Sequence, residues 1–412
     1  MIRSRVVVST SGIVLRDDVA FGLLAFSPYT GLIYAVHRGD ASRVVRWLNK
    51  QEPAPSDAYS RTLGAGWETS YDKALYPAPR LLPESRAWTQ LPQLRRPILV
   101  NWFLTGRCPL ACLYCYAEDL MRDERLEPNA DSLRRIAKAI LSLHPLVVVL
   151  TGGDPLFSPL LPQALALLDG KTGIVLDTSG YTLRKEHIAL FKTHRVTVRV
   201  SIDSERPSVH EAQRPLSRLY PGFRKSGRGT LDAAVETLSA CLEAGISVAV
   251  QTVATKKTVN DLLPLGDKLY RLGVRSWRIF KVAPSEARMG GYRRLVGTHS
   301  DQGKRLSASN PSKSYRYNFE RVLEAKSRHW GDTMDVQVTH NEIPNSVILI
   351  SPAGVFMTQS NTILQKIVVD PSSPRSPRIS FVRRVVDMSG HAKRYLNLTT
   401  PGDDTSLGRG TS

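Results

Sequence analysis

Between positions 97 and 283, short apolar runs alternate with longer amphipathic stretches, and no other feature narrows the fold as far. The runs cover 98–104, 146–151, 173–178, 196–202, 246–253 and 277–282. Helical periodicity fills the windows near 131–143, 159–168, 184–193, 230–244 and 260–272. Six strand–helix repeats of this kind imply a parallel sheet. Six strands fall short of a closed eight-stranded barrel, so the spacing predicts an α/β fold built on a partial (β/α)6 TIM-like barrel over 97–283. Chemistry on such a sheet collects at the C-terminal strand ends.

The flanks follow other patterns. Residues 1–90 read as a small α+β domain, in which apolar runs at 21–26 and 31–36 flank a turn at 28–31. Asp40 is placed to cap a helix that carries Val44, Val45 and Leu48 on one face. Seven prolines between 51 and 97 mark a linker or wrapping segment. Residues 284–369 open with a basic, Ser- and Gly-rich loop to about 314. A helix over 315–328 and a short β extension around 348–350 and 355–357 follow. The Ser-, Pro- and Arg-rich segment 370–412 is expected to be a mobile tail.

The apolar stretch 20–36 is broken by Ser27-Pro28-Tyr29-Thr30-Gly31, so no spanning helix is expected, and the short apolar run after Met1 makes secretion an unexpected outcome. The charge is +19, from 56 basic and 37 acidic residues. Five basic residues and no acidic one fall in 212–231. Such a balance fits either a solvated basic surface or an anionic partner.

Three of the four cysteines lie within eight positions, at Cys108, Cys112 and Cys115, directly after the first barrel run. That usage belongs to a metal site in a reducing compartment, and a cytoplasmic location is expected. Three thiolates on one tight loop can hold three corners of a cubane iron–sulfur cluster. A structural zinc site wants four closed ligands, whereas Cys241 sits in a helical window far along the sequence. Three unrelated buried thiols, or a zinc loop closed by a distant His or Asp, are the competing readings.

The C-x3-C-x2-C spacing with Tyr114 before the last cysteine resembles the signature of the radical S-adenosylmethionine (SAM) superfamily. Further motifs sit at successive strand ends. Gly152-Gly153-Asp154-Pro155 resembles the family's Gly-Gly-Glu-Pro, with an aspartate in place of the usual glutamate. Asp177-Thr178-Ser179-Gly180 is similar to its Thr-Asn-Gly, and Ser201-Ile202-Asp203 to its ribose-binding Ser-x-Asp. The resemblance implies a [4Fe-4S] cluster on Cys108, Cys112 and Cys115, with one iron left for the amino and carboxylate groups of SAM. It implies SAM contacts from Tyr114, Gly152, Gly153, Asp154, Thr178, Ser201, Asp203 and Arg214, the last toward the SAM carboxylate. His210 and Gln251 are weaker candidates. In this family one electron cleaves SAM to methionine and a 5′-deoxyadenosyl radical, which takes a hydrogen from a substrate.

The N-terminal domain resembles the small leader-peptide-binding domain of radical SAM peptide maturases. The β extension resembles the start of their cysteine-rich tail, yet no cysteine follows Cys241, so an auxiliary cluster is not expected. The expected activity is hydrogen abstraction from a peptide or protein side chain. The expected partners are that substrate and an electron donor such as a flavodoxin or ferredoxin, with no membrane. A modifier of a small molecule or nucleic acid is the less favoured alternative. A non-catalytic, metal-stabilised nucleic-acid-binding module leaves the strand-end motifs unexplained.

Overall fold

The computed structural model describes residues 6–19, 21–36, 39–54, 63, 94–115, 117, 127–281, 313–330, 333–339, 345–360, 363–367 and 386–396. The N-terminal sheet runs β1 (Val6–Val8), β2 (Val14–Asp18), β3 (Gly22–Ser27) and β4 (Leu32–Val36), antiparallel and in sequence order. Helix α1 (Ala41–Leu48) follows. Both faces of this sheet are buried. Ile13, Leu15, Leu23, Ala25, Tyr34 and Val36 pack with Val44 and Leu48 of α1. Val14, Leu24, Phe26 and Ala35, the alternate residues, enter the main core.

The sheet therefore docks on the barrel instead of hanging from a linker. Arg16, fully buried, donates to the carbonyls of Pro97 (2.5 Å), His144 (2.9 Å) and Arg96 (3.3 Å). Thr197 donates its hydroxyl to Pro28 O at 3.1 Å, and the Phe26 ring lies where a side chain at Gly173 would stand. Pro97, Gly173 and Thr197 all sit at N-terminal strand ends, so this domain covers the base of the barrel. The proline-rich segment falls mostly outside the described residues.

The barrel repeats appear in order: β5 (Leu99–Thr105), α2 (Ala130–Ser142), β6 (Val147–Gly152), α3 (Leu161–Leu168), β7 (Gly173–Thr178), α4 (Lys185–Thr193) and β8 (Thr197–Ser201). Then come α5 (Pro207–Gln213), the short α6 (Pro221–Lys225), α7 (Thr230–Glu243), β9 (Val248–Ala254), α8 (Leu262–Arg271) and β10 (Ser276–Lys281). β5 to β10 pair in parallel, each with the next. Leu146 to Leu150 are buried without exception, as a strand covered on both faces must be. Asn129 caps α2 by accepting from Ser132 N at 2.8 Å, and Leu133, Ile136, Ala137 and Ile140 form its buried stripe.

The sheet continues beyond the six expected strands. Helix α9 (Lys313–Ala325) and a π-helical turn (Lys326–Trp330) lead to β11 (Asp335–Thr339), which pairs in parallel with β10. The sequence reading missed β11, because its polar alternation lacks an apolar run. On the other edge β12 (Ile348–Ile350) runs parallel to β5, and β13 (Phe356–Ser360) and β14 (Ile363–Ile367) close the extension as an antiparallel meander. The expected basic loop falls largely outside the described residues.

The expected mobile tail needs a correction within its described part, where α10 (Met388–Leu396) packs on the core. Buried His391 holds it there. Its Nε2 accepts from Ile98 N (2.9 Å) and Leu99 N (3.3 Å), so its Nδ1–H donates to Ser346 O (2.7 Å). Burial, with Arg16 and Arg394 nearby, pushes this imidazole down to about 3 against the Ser346 bond, and burial takes His210 down to about 4. Both rings stay neutral in the folded protein, while the unfolded protein binds protons from about pH 6.5 downward. Stability is therefore complete above pH 6.5 and falls as pH drops toward 4, by up to ~1.4 kcal/mol per pH unit for each ring. Melting temperatures at pH 7.5, 6 and 5 in one buffer series check this, and a flat profile would contradict it.

Candidate functional site

Four strands deliver the site from the top of the barrel. β5 ends at Thr105 and feeds the cysteine loop, on which Cys108, Cys112 and Cys115 are half-buried. The loop after β6 is joined to it backbone to backbone: Gly153 N donates to Thr105 O and Asp154 N to Arg107 O, each at 2.8 Å. This approach is why both glycines are needed. A β-carbon at Gly153 would stand 2.0 Å from Arg107 O, and one at Gly152 2.5 Å from Thr105 O, with Gly152 also at φ +120°. The close partner of these glycines is thus the cysteine loop.

Asp154, 1% exposed, ties this loop to the next strand end. One oxygen accepts from Leu156 N (3.1 Å) and Thr178 Oγ1 (2.8 Å), and the other from Ser179 N (3.0 Å) and the Ser179 hydroxyl. Burial pushes its carboxyl up, and those hydrogen bonds pull it back. Thr178 in turn accepts from Gly180 N at 2.9 Å. Asp154 and Thr178, singled out separately in the sequence, are one bonded pair.

At the fourth strand end, buried Asp203 accepts from Val253 N (2.8 Å), Arg214 Nε (2.8 Å) and the Tyr114 hydroxyl. Its own N–H donates to His210 Nδ1 at 3.2 Å. The Arg214 guanidinium lies 5.5 Å from the Tyr114 ring centre and donates to Cys112 Sγ at 3.8 Å. Burial opposes its charge, but Asp203, Tyr114 and Cys112 outweigh burial and hold it protonated. Tyr114, Asp203 and Arg214 thus meet as a triad against the cysteine loop. Ser201 is half-buried at the end of β8, its hydroxyl without a hydrogen-bond partner among the described residues.

Sequence reasoning missed the segment that straps the loop down. Ala111 N donates to Pro215 O (2.8 Å), Leu113 N to Gln213 O (3.0 Å) and Ser217 N to Pro109 O (2.7 Å). Glu127, also missed, accepts from Thr105 Oγ1 (2.6 Å) and Ser158 Oγ (2.9 Å). Arg107 lies 4.6 Å from the centre of the Phe157 ring. The five basic residues of 212–231 were the available signal for the strap, but read as charge and not as a contact.

The donor set on this loop fits an iron–sulfur cluster. Three thiols share one loop, and hydrogen-bond donors face two of their sulfurs: Leu110 N at 3.4 Å from Cys108 Sγ, and Arg214 at Cys112. Burial, with the nearby Asp154 and the other two thiols, pushes the Cys108 thiol well up, so it must lose its proton to act as a ligand. Among the described residues no three His, Cys, Asp or Glu side chains stand close enough to hold a single metal ion.

Residues 102–265 match the Radical SAM superfamily model. A radical SAM domain is therefore present in this protein. The chain is 28% identical over 218 residues to mycofactocin maturase MftC of Mycolicibacterium smegmatis, covering 52% of this chain and 50% of that one. It is 27% identical over 198 residues to the GTP 3′,8-cyclase of Xanthomonas campestris, covering 45% and 55%. The chain thus spans about half the length of the curated relatives it matches. Among solved structures, Streptococcus suis SuiB bound to S-adenosylmethionine aligns with a TM-score of 0.51 and 13% identity over 85% of this chain and 82% of that one. Native anSMEcpe with bound AdoMet and Cp18Cys peptide aligns at 0.54 and 11%, over 76% and 85%. These likenesses are of fold.

Proposed function

We propose that this protein is a radical SAM enzyme that modifies a peptide or protein side chain, with a [4Fe-4S] cluster on Cys108, Cys112 and Cys115. The observation that carries the reading is the convergence of the β5, β6, β7 and β8 ends on one cysteine loop. When bound, the cluster and SAM supply reductive cleavage and a hydrogen-abstracting radical. The protein's own residues do the positioning. Asp154 and Thr178 lock the second and third strand ends, and the backbone of 152–153 is left as the grip on the methionine end. Tyr114, Asp203 and Arg214 fix the loop and hold a positive charge beside the Cys112 sulfur. The Ser201 hydroxyl is the ribose contact that the fourth strand can offer.

The peptide reading is supported by the similarity to MftC, a maturase, and by the fold shared with SuiB, solved also with its precursor peptide SuiA. Among the described residues β1 pairs on one side only, so a leader can add there as a further strand. That edge is at the barrel base. A peptide held there needs at least about seven extended residues to pass a seven-residue strand and reach the cysteine loop. Arg218, Arg224 and Lys225 are exposed on the strap beside that loop, and an acidic electron donor docks there in this reading.

Anaerobic reconstitution followed by dithionite reduction with SAM tests the reading, together with mass spectrometry of co-purifying peptides. A brown protein that releases 5′-deoxyadenosine and shifts a peptide's mass is expected. A colourless zinc protein that leaves SAM intact would overturn it.

A further inference from the structure

Inside the barrel, Arg278 keeps a buried N–H without a hydrogen-bond partner among the described residues. Trp277 and Ile279 of β10 pack outward against the helices, so Arg278 between them faces the interior. Strand register places it in one row with Ser201 of β8, Gln251 of β9 and Gln337 of β11. Arg278 is therefore level with the end of β8, two strands from Ser201. Two carboxylates lie near enough to act on it, and each is already committed. Asp177 takes Arg199 Nε at 2.5 Å, and Asp335 takes Lys326 Nζ at 3.6 Å. Neither carboxylate makes a hydrogen bond or ion pair with Arg278 among the described residues, so its guanidinium keeps donors for a further acceptor. The buried, unpartnered atom is Arg278 Nε.

A buried guanidinium N–H left unsatisfied is costly unless an anion or acceptor completes it, and Arg278 as a whole is half-buried, open to a ligand. Burial, with Arg199 adding to it, lowers Arg278 to about 10 even with both carboxylates in range. It stays charged at neutral pH. The planar fork of Arg suits a carboxylate, which can take two parallel N–H donors.

We propose that Arg278 is a substrate-binding residue that takes a carboxylate group of the substrate inside the barrel, at the level of Ser201. The proposal rests on the radical SAM reading, because that reading places the reacting end of SAM beside Ser201. It names a substrate class: a peptide or small molecule whose modified position lies close to a free carboxylate, such as an acidic side chain or the terminal carboxylate of a peptide.

The test uses the full-length protein with cluster and SAM bound, and N-acetylglycine and N-acetylglycinamide as probes read by saturation-transfer NMR. The acid is expected to bind at least about tenfold tighter than the amide, and Arg278→Gln should erase the difference. Arg278→Lys, which keeps the charge without the fork, should retain part of the preference and guards against a folding defect in the glutamine variant. Equal binding of acid and amide, or a preference that survives in Arg278→Gln, would overturn the proposal. So would inorganic phosphate displacing the acid at lower concentration than acetate does. An Arg278→Gln protein whose SAM affinity falls tenfold would show that the carboxylate belongs to SAM, which also removes the substrate assignment. Absence of cluster and SAM binding in the parent protein would instead sink the functional reading itself.

Discussion

Replacing Cys108, Cys112 or Cys115 singly by alanine will take reconstituted iron from about four atoms per protein molecule to background and end SAM cleavage. Each of the three is half-buried on one loop, and two of their sulfurs already face hydrogen-bond donors from the protein. Cys241→Ser is the matched control. That thiol is fully buried in helix α7, and burial pushes it up to about 12, so it stays protonated and packs as a small apolar group. Iron content in Cys241→Ser should equal the parent's. Iron and sulfide near eight per molecule in the parent, about twice what one cubane holds, would contradict a single cluster.

Asp203→Ala should destabilise the protein by about 3–5 kcal/mol, the cost of leaving a buried charge without its partner. Arg214 would keep its charge in a site where Asp203 supplies the 2.8 Å ion pair, and the Tyr114 hydroxyl and Val253 N–H would lose their acceptor. Tyr114→Phe removes one of those bonds and should cost only about 1 kcal/mol. The double variant Asp203→Leu/Arg214→Met removes both charges and should recover much of the loss. Urea unfolding of the four proteins checks the series. An Asp203→Ala protein within about 1 kcal/mol of the parent would mean that the triad does not hold the loop.

The six barrel strands were legible because their apolar runs alternate with windows of helical periodicity. β11 was not, because Asp335 and Gln337 point to the interior and their alternation reads as a polar loop. The docking of the N-terminal sheet was half legible. Gly22 to Ser27 has no polar face, as a strand buried on both sides requires, but nothing in it names the barrel base as the partner. The tail helix depends on one imidazole reaching Ile98, nearly three hundred residues away in sequence, which no local pattern reports.

At the site, the motifs were legible by type and position, and their partners were not. Asp154 and Asp203 were read as ligand contacts from their resemblance to the Gly-Gly-Glu-Pro and Ser-x-Asp motifs. The structure engages both oxygens of each within the protein. Pairings such as Asp154 with Thr178, or Arg214 with Cys112, arise from strands brought side by side by the fold. Sequence spacing cannot rank them against a ligand.

Electron paramagnetic resonance of the dithionite-reduced protein, with and without SAM, tests the central claim most directly. A signal of about one spin per molecule that changes shape when SAM is added is the expected result, since the cluster would leave one iron open to the cofactor. A signal unchanged by saturating SAM, or no iron–sulfur signal from correctly folded protein, would contradict it.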